Sequence, residues 1–578
     1  MFRIKNKKMV NVLSHHIISP LGAGSETNYE AVKAGRSALR RYEQKWGLPE
    51  PFTASLFEEG EEPQIPGMTR YESLCIASIQ GALDKLPKEQ RRQVLEGQTL
   101  LLLSTTKANV ELLAEGISDE REYPVTAARR INDYFHFSVD PVVVCNACIS
   151  GVSALLTARM LLLSGYADHA IVCGADSQSK FIVSGFQSFR ALSEEECRPF
   201  DAERTGLNLG EAGATMILSR ELEADWHLIQ GAVCNDANHI SGPSRTGEGS
   251  YRALQRTLAG IDPAQLAFIN VHGTATLYND EMESIALTRA GLTATPINAL
   301  KGYYGHTMGA AGVMETILSM MAVDDHTVLA TRGFHAKGVS GDIHINAENQ
   351  PTDKRCFVKL LSGFGGCNAA VLMAKGDDMQ VVTSGHIDYL EPDLTHSVSV
   401  SPYDVSVDGS SDSYPVTTNG ASLITELYKK YIGDYPKFYK MDMLCRLGFV
   451  ASELLHRQLS KPLDENTSVV LFNRSSSYTA DVAHQASIAD PDNFFPSPSV
   501  FVYTLPNILT GEVAIRHKYY GETTFYVAWI SKDFKERLAQ LTLEANGADA
   551  VIFGDVEYID EDNFSANLHV MERYKGDS

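Results

Sequence analysis

Short apolar runs alternate with helix-like stretches along the first 376 residues. The apolar runs are rich in β-branched residues, as strands are, and the stretches between them have helical spacing and end at glycine. Clear examples of such runs are TLLLLS, PVVVC, HAIVCG, AFINVHG and RCFVKLLS. This alternation predicts an α/β fold of layered sheets and helices.

The pattern changes after residue 376. Residues 377–420 are rich in Ser, Asp, Gly and Pro and contain short Val-bearing runs, which predicts a linker with room for an edge hairpin. Beyond it, KMDMLCRLGFVASELLHRQL has helical periodicity and NTSVVLFN has the pattern of a strand. We therefore expect a first domain at 1–376, a linker at 377–420 and a second, smaller α/β domain at 421–578.

The second domain repeats part of the first. ESLCIASIQGALDKL before TLLLLS resembles DMLCRLGFVASELL before SVVLFN, and the stretch that begins at Cys148 aligns without gaps to the stretch that begins at Trp529. An aspartate follows 20 positions later in both, as Asp168 and Asp549. Two amphipathic helices followed by buried strands can also share residues by composition, but two anchors in the same order favour a common architecture.

Composition and charge exclude several classes of protein. With 44% hydrophobic residues among 578, the chain can bury large cores and is not a disordered protein. Its formal charge of −22 opposes general binding to nucleic acid or anionic lipid. No apolar run approaches the roughly 18 residues of a membrane span, the start lacks a signal peptide's apolar region, and most of the nine cysteines lie in apolar runs. A cytoplasmic protein with reduced thiols is expected.

One cysteine stands where a nucleophile would. In PVVVCNACISGVSALL a buried strand breaks into a turn and then a helix, which puts Cys148 at the helix start, where free N–H groups lower a thiol pKa. With Cys145 it also forms a CxxC, which leaves open a redox pair or half of a zinc site. Zinc would need two more ligands at similar spacing, and the sequence has no second CxxC. We therefore expect no metal site.

Candidate bases lie at two strand ends. FINVHGTATLYNDEMES places His272 just after an apolar strand, and INALKGYYGHTMGAAGVMET places Lys301 and His306 before a helix of small residues. A third element is LLSGFGGCNAAVL, in which glycines around Phe364 let the backbone approach a ligand and move. Each feature has a plain structural alternative, since lone histidines are often structural and glycine turns often only join strands.

Together these segments resemble the β-ketoacyl-acyl carrier protein synthases, the elongating condensing enzymes of the thiolase superfamily. The resemblance covers about residues 1–376 and rests on NACISG, VHGTAT, LKGYYGHTMGAAG, GFGGCN and the segments that start at Ile17 and Arg198. It implies a thiolase-like α-β-α-β-α fold. It also implies an acyl carrier protein as partner, malonyl and acyl thioesters as substrates, and no cofactor beyond the phosphopantetheine arm on the carrier.

The resemblance also implies roles for single residues. Cys148 would take the acyl group, and its backbone N–H would form an oxyanion hole with that of Phe364, whose ring would act as a gate. His272 and His306 would bind the malonyl thioester carbonyl during loss of CO₂. The remaining roles would be charge balance by a lysine and a glutamate, and contact with the phosphopantetheine arm by two threonines: Lys301 with Glu315, and Thr274 with Thr276.

The second domain resembles the first half of the same fold without its nucleophile, as in the cysteine-less chain-length factors of two-protein polyketide synthases. Trp529 stands at the position of Cys148, and we expect it to fill the space that the cysteine leaves. The sequence contains no later counterpart of His272 or His306. Residues 523–528 (TTFYVA) are expected to pair with PVVVCNA within the chain as a pseudo-dimer, the alternative being a homodimer of catalytic domains.

The function expected from the sequence is a decarboxylating condensation in type II fatty acid or polyketide synthesis, with polyene pigments among the products considered. Cys367 and residues 104–110 depart from the usual family pattern near the acyl pocket, so chain length stays open. The alternatives are a catalytically silent scaffold for carrier proteins and a thiol oxidoreductase that uses Cys145. Because carriers in this family are acidic, a basic docking patch is expected at Lys33, Arg36, Arg40, Arg41, Lys45, Arg129 and Arg130.

Overall fold

Two units of alternating strands and helices follow one another in the computed structural model, which describes residues 9–376, 393–411, 413–545 and 547–573. The strands of the first unit are β1 Val10–Ser19, β2 Gly22–Ala23, β3 Arg40–Tyr42, β4 Phe52–Ser55, β5 Thr99–Ser104, β6 Val142–Val144, β7 His169–Asp176, β8 Leu209–Gly210, β9 Ala212–Ser219, β10 Trp226–Asn235, β11 Leu266–Asn270, β12 Pro296–Asn298, β13 Thr327–Val328, β14 His344–Ile345, β15 Gln350–Pro351, β16 Cys356–Gly363 and β17 Cys367–Lys375. Its helices are α1 Ser25–Lys33, α2 Arg70–Asp84, α3 Lys88–Glu96, α4 Pro124–Phe135, α5 Ser150–Leu163, α6 Lys180–Ser188, α7 Glu248–Thr257, α8 Leu277–Arg289, α9 Lys301–Tyr304 and α10 Ala311–Asp324.

The second unit is smaller. Its strands are β18 Asp393–Val400, β19 Val405–Val407, β20 Ser468–Asn473, β21 Thr523–Val527, β22 Ala550–Asp560 and β23 Asn563–Glu572. Its helices are α11 Ala421–Leu427, α12 Met443–His456, α13 Tyr478–Ala489, α14 Pro498–Tyr503, α15 Ile508–His517 and α16 Lys532–Ala545.

The first unit has five layers. Helices α5 and α10 form the middle layer, where α5 contacts β5 and β7 on one side and β10 and β17 on the other. Both are apolar nearly all round and almost wholly buried, as a helix between two sheets must be. Helices α2 and α4 cover the outer face of one sheet, and α7 covers the other. The predicted α-β-α-β-α layering is confirmed.

The strand order confirms the predicted repeat. In the first unit β5 lies between β7 and β6, all parallel, and in the second unit β20 lies between β22 and β21 in the same way. Antiparallel β9 and β1 continue the first sheet beyond β7, and antiparallel β23 and β18 continue the second beyond β22. Strand β18 therefore occupies the place of β1. Residues 393–407 of the expected linker form a β18–β19 hairpin within this sheet, and residues 377–392 lie outside the described residues.

The two units pair with each other through the strand that leads to Cys148. Strand β6 runs antiparallel to β21, with Val144 opposite Tyr526 and Val143 opposite Val527. The backbone N–H of Cys145 continues the ladder to the carbonyl of Phe525 at 3.0 Å. The intrachain pseudo-dimer expected from the sequence is confirmed, and it uses the strand edge that a homodimer of catalytic units would have needed.

Helix α16 of the second unit occupies the position that α5 holds in the first, but it has a different surface. Phe534, Leu538 and Leu541 are buried against the sheet. The opposite side carries charged residues, including Lys532, which is largely exposed and lies 3.5 Å from Glu536. This helix is amphipathic because it covers a sheet on one side only, whereas α5 is enclosed on both sides.

Trp529 does not fill a vacated active site, contrary to the expectation. It is 39% exposed, and the guanidinium of Arg129 from the first unit lies 3.8 Å from its ring centroid. Arg474 lies over the ring as well, at 5.1 Å. The indole instead lies at the unit boundary against two guanidinium groups, and cation–π contacts of this kind are favourable at partly exposed sites.

A buried ion pair joins the units near Cys148. The ammonium of Lys107 lies 2.6 Å from the carboxylate of Asp481, with both side chains at most 4% exposed. The same ammonium donates to Ser477 and to the carbonyl of Thr504, so its hydrogen-bond partners among the described residues are all in the second unit. Burial raises the pKa of Asp481 and the Lys107 charge opposes that rise, so the carboxylate depends on the lysine for its charge.

Lys107→Met should lower the free energy of unfolding by about 3–5 kcal/mol, because Asp481 then stays buried without a counter-charge. The double variant Lys107→Met/Asp481→Leu removes both charges and should recover most of the loss. Urea denaturation monitored by fluorescence measures both. Arg92→Met is the control: its ion pairs with carboxylates are exposed and contribute about 0–1 kcal/mol. Equal losses for Lys107→Met and Arg92→Met would contradict the assigned role.

Candidate active site

Cys148 lies where β6 ends and α5 begins. A single 3₁₀ turn, Ala147–Ile149, joins the two elements, and Ala147 has a φ of 48°, a left-handed conformation that L-residues rarely adopt. Such strain persists where the fold aims a side chain at a site. Cys148 lines the same pocket as the two candidate histidines, whereas Cys145 is buried in an apolar cluster shared by both units. The two sulfurs of the CxxC therefore serve different environments.

The structure brings the three predicted reactive side chains together. Donor atoms of Cys148, His272 and His306 all lie within 4.8 Å of one another. The two imidazole rings meet at 85° with their centroids 5.0 Å apart. All three side chains line one pocket, which encloses about 1270 Å³ including its open mouth.

Carboxylates on α8 hold the loop that carries His272. The backbone N–H groups of His272 and Gly273 donate to the two oxygens of Glu283 at 2.7 and 2.8 Å. The N–H of Thr274 donates to Asp280 at 3.0 Å. Burial raises the pKa of Asp280 to about 6 and also raises that of Glu283. The loop geometry is therefore fixed by buried acids that the sequence analysis did not single out.

The surroundings of His306 fix which ring nitrogen carries the proton. Its Nδ1 accepts a hydrogen bond from the N–H of Met308 at 3.3 Å, so Nε2 carries the hydrogen in the neutral ring. That Nε2 has no hydrogen-bond partner among the described residues. A buried, unpaired N–H is suited to a substrate carbonyl oxygen. It does not suit a metal ion, which would need the lone pair, so the absence of a metal stays our prediction.

A charged network lies behind the histidines. Lys301 contacts Oε1 of Glu315 at 2.8 Å, as the resemblance implied, and Lys359 contacts Oε2 of the same carboxylate. All three side chains are fully buried. Burial lowers the pKa of both His272 and His306 well below the ordinary value, and the two lysines lower it further. Both imidazoles are therefore neutral.

The thiol itself differs from the expectation. Burial raises the pKa of Cys148 to about 12, although Lys301 and the backbone N–H groups of Cys148 and Phe364 act to lower it. The expected lowering at a helix start is wrong for this site, because the cost of burying a thiolate outweighs it. The thiol therefore needs a base that takes its proton during attack, and a neutral imidazole stands beside it.

The glycine-rich turn after β16 brings a second N–H group to the sulfur. Backbone N–H groups of Cys148 and Phe364 both interact with the thiol, which is the arrangement of an oxyanion hole. Gly365 has a φ of 89°, and its carbonyl accepts from Asn235 at 2.9 Å. The carbonyl of Phe364 accepts from Asn507 of the second unit at 2.8 Å. The sequence analysis missed Asn507 because it comes from the other unit.

The mouth and the floor of the site have different linings. Thr274 and Thr276 line the open pocket, with their hydroxyl oxygens 2.9 Å apart. On the other side of Cys148 lies a smaller apolar cavity, whose walls come from both units and include Lys107 from the unusual stretch at 104–110. Its bulky walls are Ile182, Phe186, Met308, Phe364, Phe501 and Leu505.

The basic patch expected for carrier docking is largely neutralised. Lys33 pairs with Asp325 at 2.6 Å, and Arg130 pairs with Glu72 at 3.0 Å. The arginines of the exposed β3 strand are paired as well: Arg40 with Glu58, and Arg41 with Glu43 and Glu194. These four side chains carry less free positive charge than their sequence indicates, because both neighbouring and distant carboxylates pair with them.

Comparisons with known proteins agree with this geometry. The family models for the β-ketoacyl synthase N-terminal and C-terminal domains match residues 98–224 and 228–335. A mitochondrial 3-oxoacyl-[acyl-carrier-protein] synthase of Schizosaccharomyces pombe is 30% identical over 271 residues, 42% of this chain and 64% of the relative. 3-Oxoacyl-[acyl-carrier-protein] synthase 2 of Rhizobium meliloti is 34% identical over 256 residues, 40% of this chain and 60% of the relative. The matched region thus spans slightly less than two thirds of these relatives.

Solved structures match the fold. A β-ketoacyl synthase from Burkholderia phymatum superposes with a TM-score of 0.57 at 23% identity, over 64% of this chain and 100% of that one. The keto synthase–chain length factor of PfaC superposes with a TM-score of 0.75 at 13% identity, over 98% of this chain and 79% of that one. The second match extends over both units, so the two structures share the paired arrangement of the units. Among the described residues, no helix is long and apolar enough to cross a membrane.

The five layers, the paired half-repeat and the two family models agree on one assignment. Residues 98–224 and 228–335 are similar to the N-terminal and C-terminal domains of the β-ketoacyl synthases, and the fold is that of solved ketosynthase structures.

Proposed function

We propose that the protein is a decarboxylating β-ketoacyl-acyl carrier protein synthase of fatty acid or polyketide synthesis. The observation that carries this proposal is the convergence of Cys148, His272 and His306 within 4.8 Å on one pocket. Similarity to 3-oxoacyl-[acyl-carrier-protein] synthases and to a polyketide β-ketoacyl synthase of Streptomyces halstedii supports it.

The first half-reaction loads the acyl group. The Cys148 sulfur attacks the carbonyl carbon of an acyl-carrier thioester while an adjacent neutral imidazole takes the thiol proton. The negative charge on the carbonyl oxygen develops next to the N–H groups of Cys148 and Phe364. The carbon–sulfur bond to the carrier then breaks, and the carrier thiol leaves with the proton. An acyl-Cys148 thioester remains.

The second half-reaction uses the histidines as hydrogen-bond donors. The thioester carbonyl of malonyl-carrier binds the Nε2–H of His306 and the ring of His272, and the carbon–carbon bond to the carboxylate breaks to release CO₂. The resulting enolate is stabilised by these donors. Its carbon attacks the acyl-Cys148 carbonyl, the new carbon–carbon bond forms, and the sulfur leaves and regains a proton. The hydroxyl groups of Thr274 and Thr276 would hold the phosphopantetheine arm at the mouth.

Two alternatives make different predictions. A silent scaffold for carriers would have no use for a Cys148 that follows the strained Ala147 and lies beside two neutral imidazoles. A thiol oxidoreductase would need Cys145, whose pKa is raised to about 12 by burial and whose position is in the core of the unit boundary. We therefore favour the condensing enzyme over the scaffold and over the oxidoreductase. Cys145→Ser should retain condensation, whereas a thiol oxidoreductase would lose its activity, so this variant distinguishes the two enzymes.

We also propose that the protein acts in the cytoplasm and needs no cofactor beyond the arm on its carrier. The nine cysteines, all of them free thiols and eight of them buried, support a reducing compartment. The chemistry above needs only the two thioesters and the side chains already named.

His306→Ala and His272→Ala should each lower CO₂ release from malonyl-carrier by about 10²–10⁴-fold, because each removes a donor to the enolate oxygen. Release of ¹⁴CO₂ from labelled malonyl-carrier measures the rate. His239→Ala is the matched control, since His239 lines the same pocket outside the cluster. A wild-type protein that binds malonyl-carrier and releases no CO₂ would favour the scaffold instead.

A further inference from the structure

A second lysine lies in the buried network, and the roles described above do not use it. Lys359 is in the middle of β16, in the run CFVKLLSG. All residues from Cys356 to Ser362 are buried, and Lys359 is the one charged residue among them. Its side chain has no exposed surface. Burying an ammonium is costly unless partners compensate, so a lysine at this position needs an explanation in its contacts.

Its contacts lead to His272. Lys359 lies next to Asn270 in the parallel β11–β16 ladder, and its ammonium donates to the carbonyl of Val271 at 3.1 Å. Val271 is the residue before His272. The N–H of Val271 donates to the carbonyl of Asn298 at 2.9 Å, and the N–H of His272 donates to Glu283. The Val271–His272 peptide is therefore held at both its carbonyl and its N–H, the preceding peptide is held by Asn298, and Lys359 supplies the contact to the carbonyl.

Lys359 also changes the net charge of the buried network. Lys301 and Lys359 share one carboxylate, that of Glu315, with one ammonium on each oxygen. Within this trio two positive groups face one negative group and leave an excess of positive charge behind the histidine pair, which the nearby Glu283 carboxylate opposes in part. This excess lowers the pKa of His272 and His306 and attracts the negative charge of an enolate in front of them. Burial lowers the pKa of Lys359 itself, and Glu315 opposes that shift.

We propose that Lys359 is a positioning residue for the decarboxylation step, which holds His272 through the Val271 carbonyl and supplies the second positive charge behind the histidines. The proposal rests on the proposed function, since it concerns the same half-reaction. Lys359 touches neither substrate nor Cys148 in this arrangement, so it acts through His272 and Glu315. The titratable and charged groups that surround the histidine pair are Cys148, Asp280, Glu283, Lys301, Glu315 and Lys359.

Lys359→Met tests it in the full-length protein. We expect kcat for CO₂ release from malonyl-carrier to fall about tenfold or more, with KM changed by less than about twofold. The loss of a positive charge raises the pKa of His272 and His306, so the neutral rings are lost at a higher pH than in the wild type. The acid limb of the pH–rate profile should therefore move upward by about half a unit or more. Acylation of Cys148 by an acyl-carrier, measured by mass spectrometry, should stay near the wild-type rate.

Two further variants separate the possible causes. Lys354→Met is the matched control, because the Lys354 ammonium also donates to a β11 carbonyl, that of Leu266, but at the strand end remote from His272. It should leave both the rate and the acid limb unchanged. Lys359→Gln keeps a donor for Val271 without the charge, so it should regain part of kcat and retain the shifted limb. It also remains available if the methionine variant does not fold.

The outcomes are distinct. An unchanged kcat and a superimposable pH profile in folded Lys359→Met or Lys359→Gln would overturn the proposal, as would the same change in Lys354→Met. A wild-type protein that releases no CO₂ would instead contradict the proposed function. The two failures are therefore separate results of one experiment.

Discussion

Cys148→Ala should abolish acyl transfer and condensation while CO₂ release from malonyl-carrier continues. Without the sulfur no acyl-enzyme forms, and losses of about four orders of magnitude or more are usual for a missing nucleophile. The donors for decarboxylation are on His272 and His306, which the substitution leaves in place. Acyl-enzyme formation is measured by mass spectrometry of the intact protein, and CO₂ release by labelled malonyl-carrier.

The matched control for that prediction is Cys145→Ala, three residues earlier in the same CxxC. It removes a buried thiol that faces the core of the unit boundary, so condensation should persist. If folded Cys148→Ala loses decarboxylation as completely as His306→Ala, the division of labour between thiol and histidines is wrong. If Cys145→Ala loses condensation as well, the thiol pair acts together and the oxidoreductase reading regains support.

Local pattern identified the reactive side chains because each stands at an element end. Cys148 and His272 come shortly after the ends of β6 and β11, His306 comes just after the short helix α9, and the fold brings these element ends to one pocket. The same pattern predicted the α/β layers and the half-repeat, since both depend on the order of apolar runs. What it predicted least well is the electrostatics. The thiol pKa depends on how completely distant segments enclose Cys148, and the spacing of residues carries no information on that.

Residues that act across the unit boundary were also beyond the sequence. Asn507 reaches the carbonyl of Phe364 from a segment 143 positions away, and nothing in its local sequence marks it. Lys359 did carry a signal in the sequence, because it is a lone lysine inside an apolar strand. A buried charge needs a partner, and a search for that partner would have identified it. One of the carboxylates that pair with Arg41, that of Glu194, is likewise distant in sequence, at 153 positions.

The second unit has the features of a domain that contributes to the active site. Helix α16 has a charged outer side, and a decaying copy of α5 would have kept an apolar one exposed. The unit also supplies Phe501 and Leu505 as walls of the cavity beside Cys148. In addition, its Asn507 donates a hydrogen bond to the carbonyl of Phe364. We therefore favour a unit that shapes and supports the active site over one that only adds bulk.

A chain that ends after Gly376 should consequently fail in two ways. It loses β21, so the unpaired edge of β6 and the apolar cluster shared by the units become exposed, and static light scattering should detect aggregates or homodimers that the full-length chain does not form. It also loses Asn507 and the cavity walls, so any soluble fraction should condense at less than about a tenth of the full-length rate. Full-length Asn507→Ala separates the two effects: it should keep the oligomeric state of the wild type and lose part of the condensation rate, because only the support of the Phe364 turn is missing. A truncated protein that stays soluble, keeps the oligomeric state of the full chain and condenses at the full rate would show that the second unit neither completes the sheet nor shapes the site.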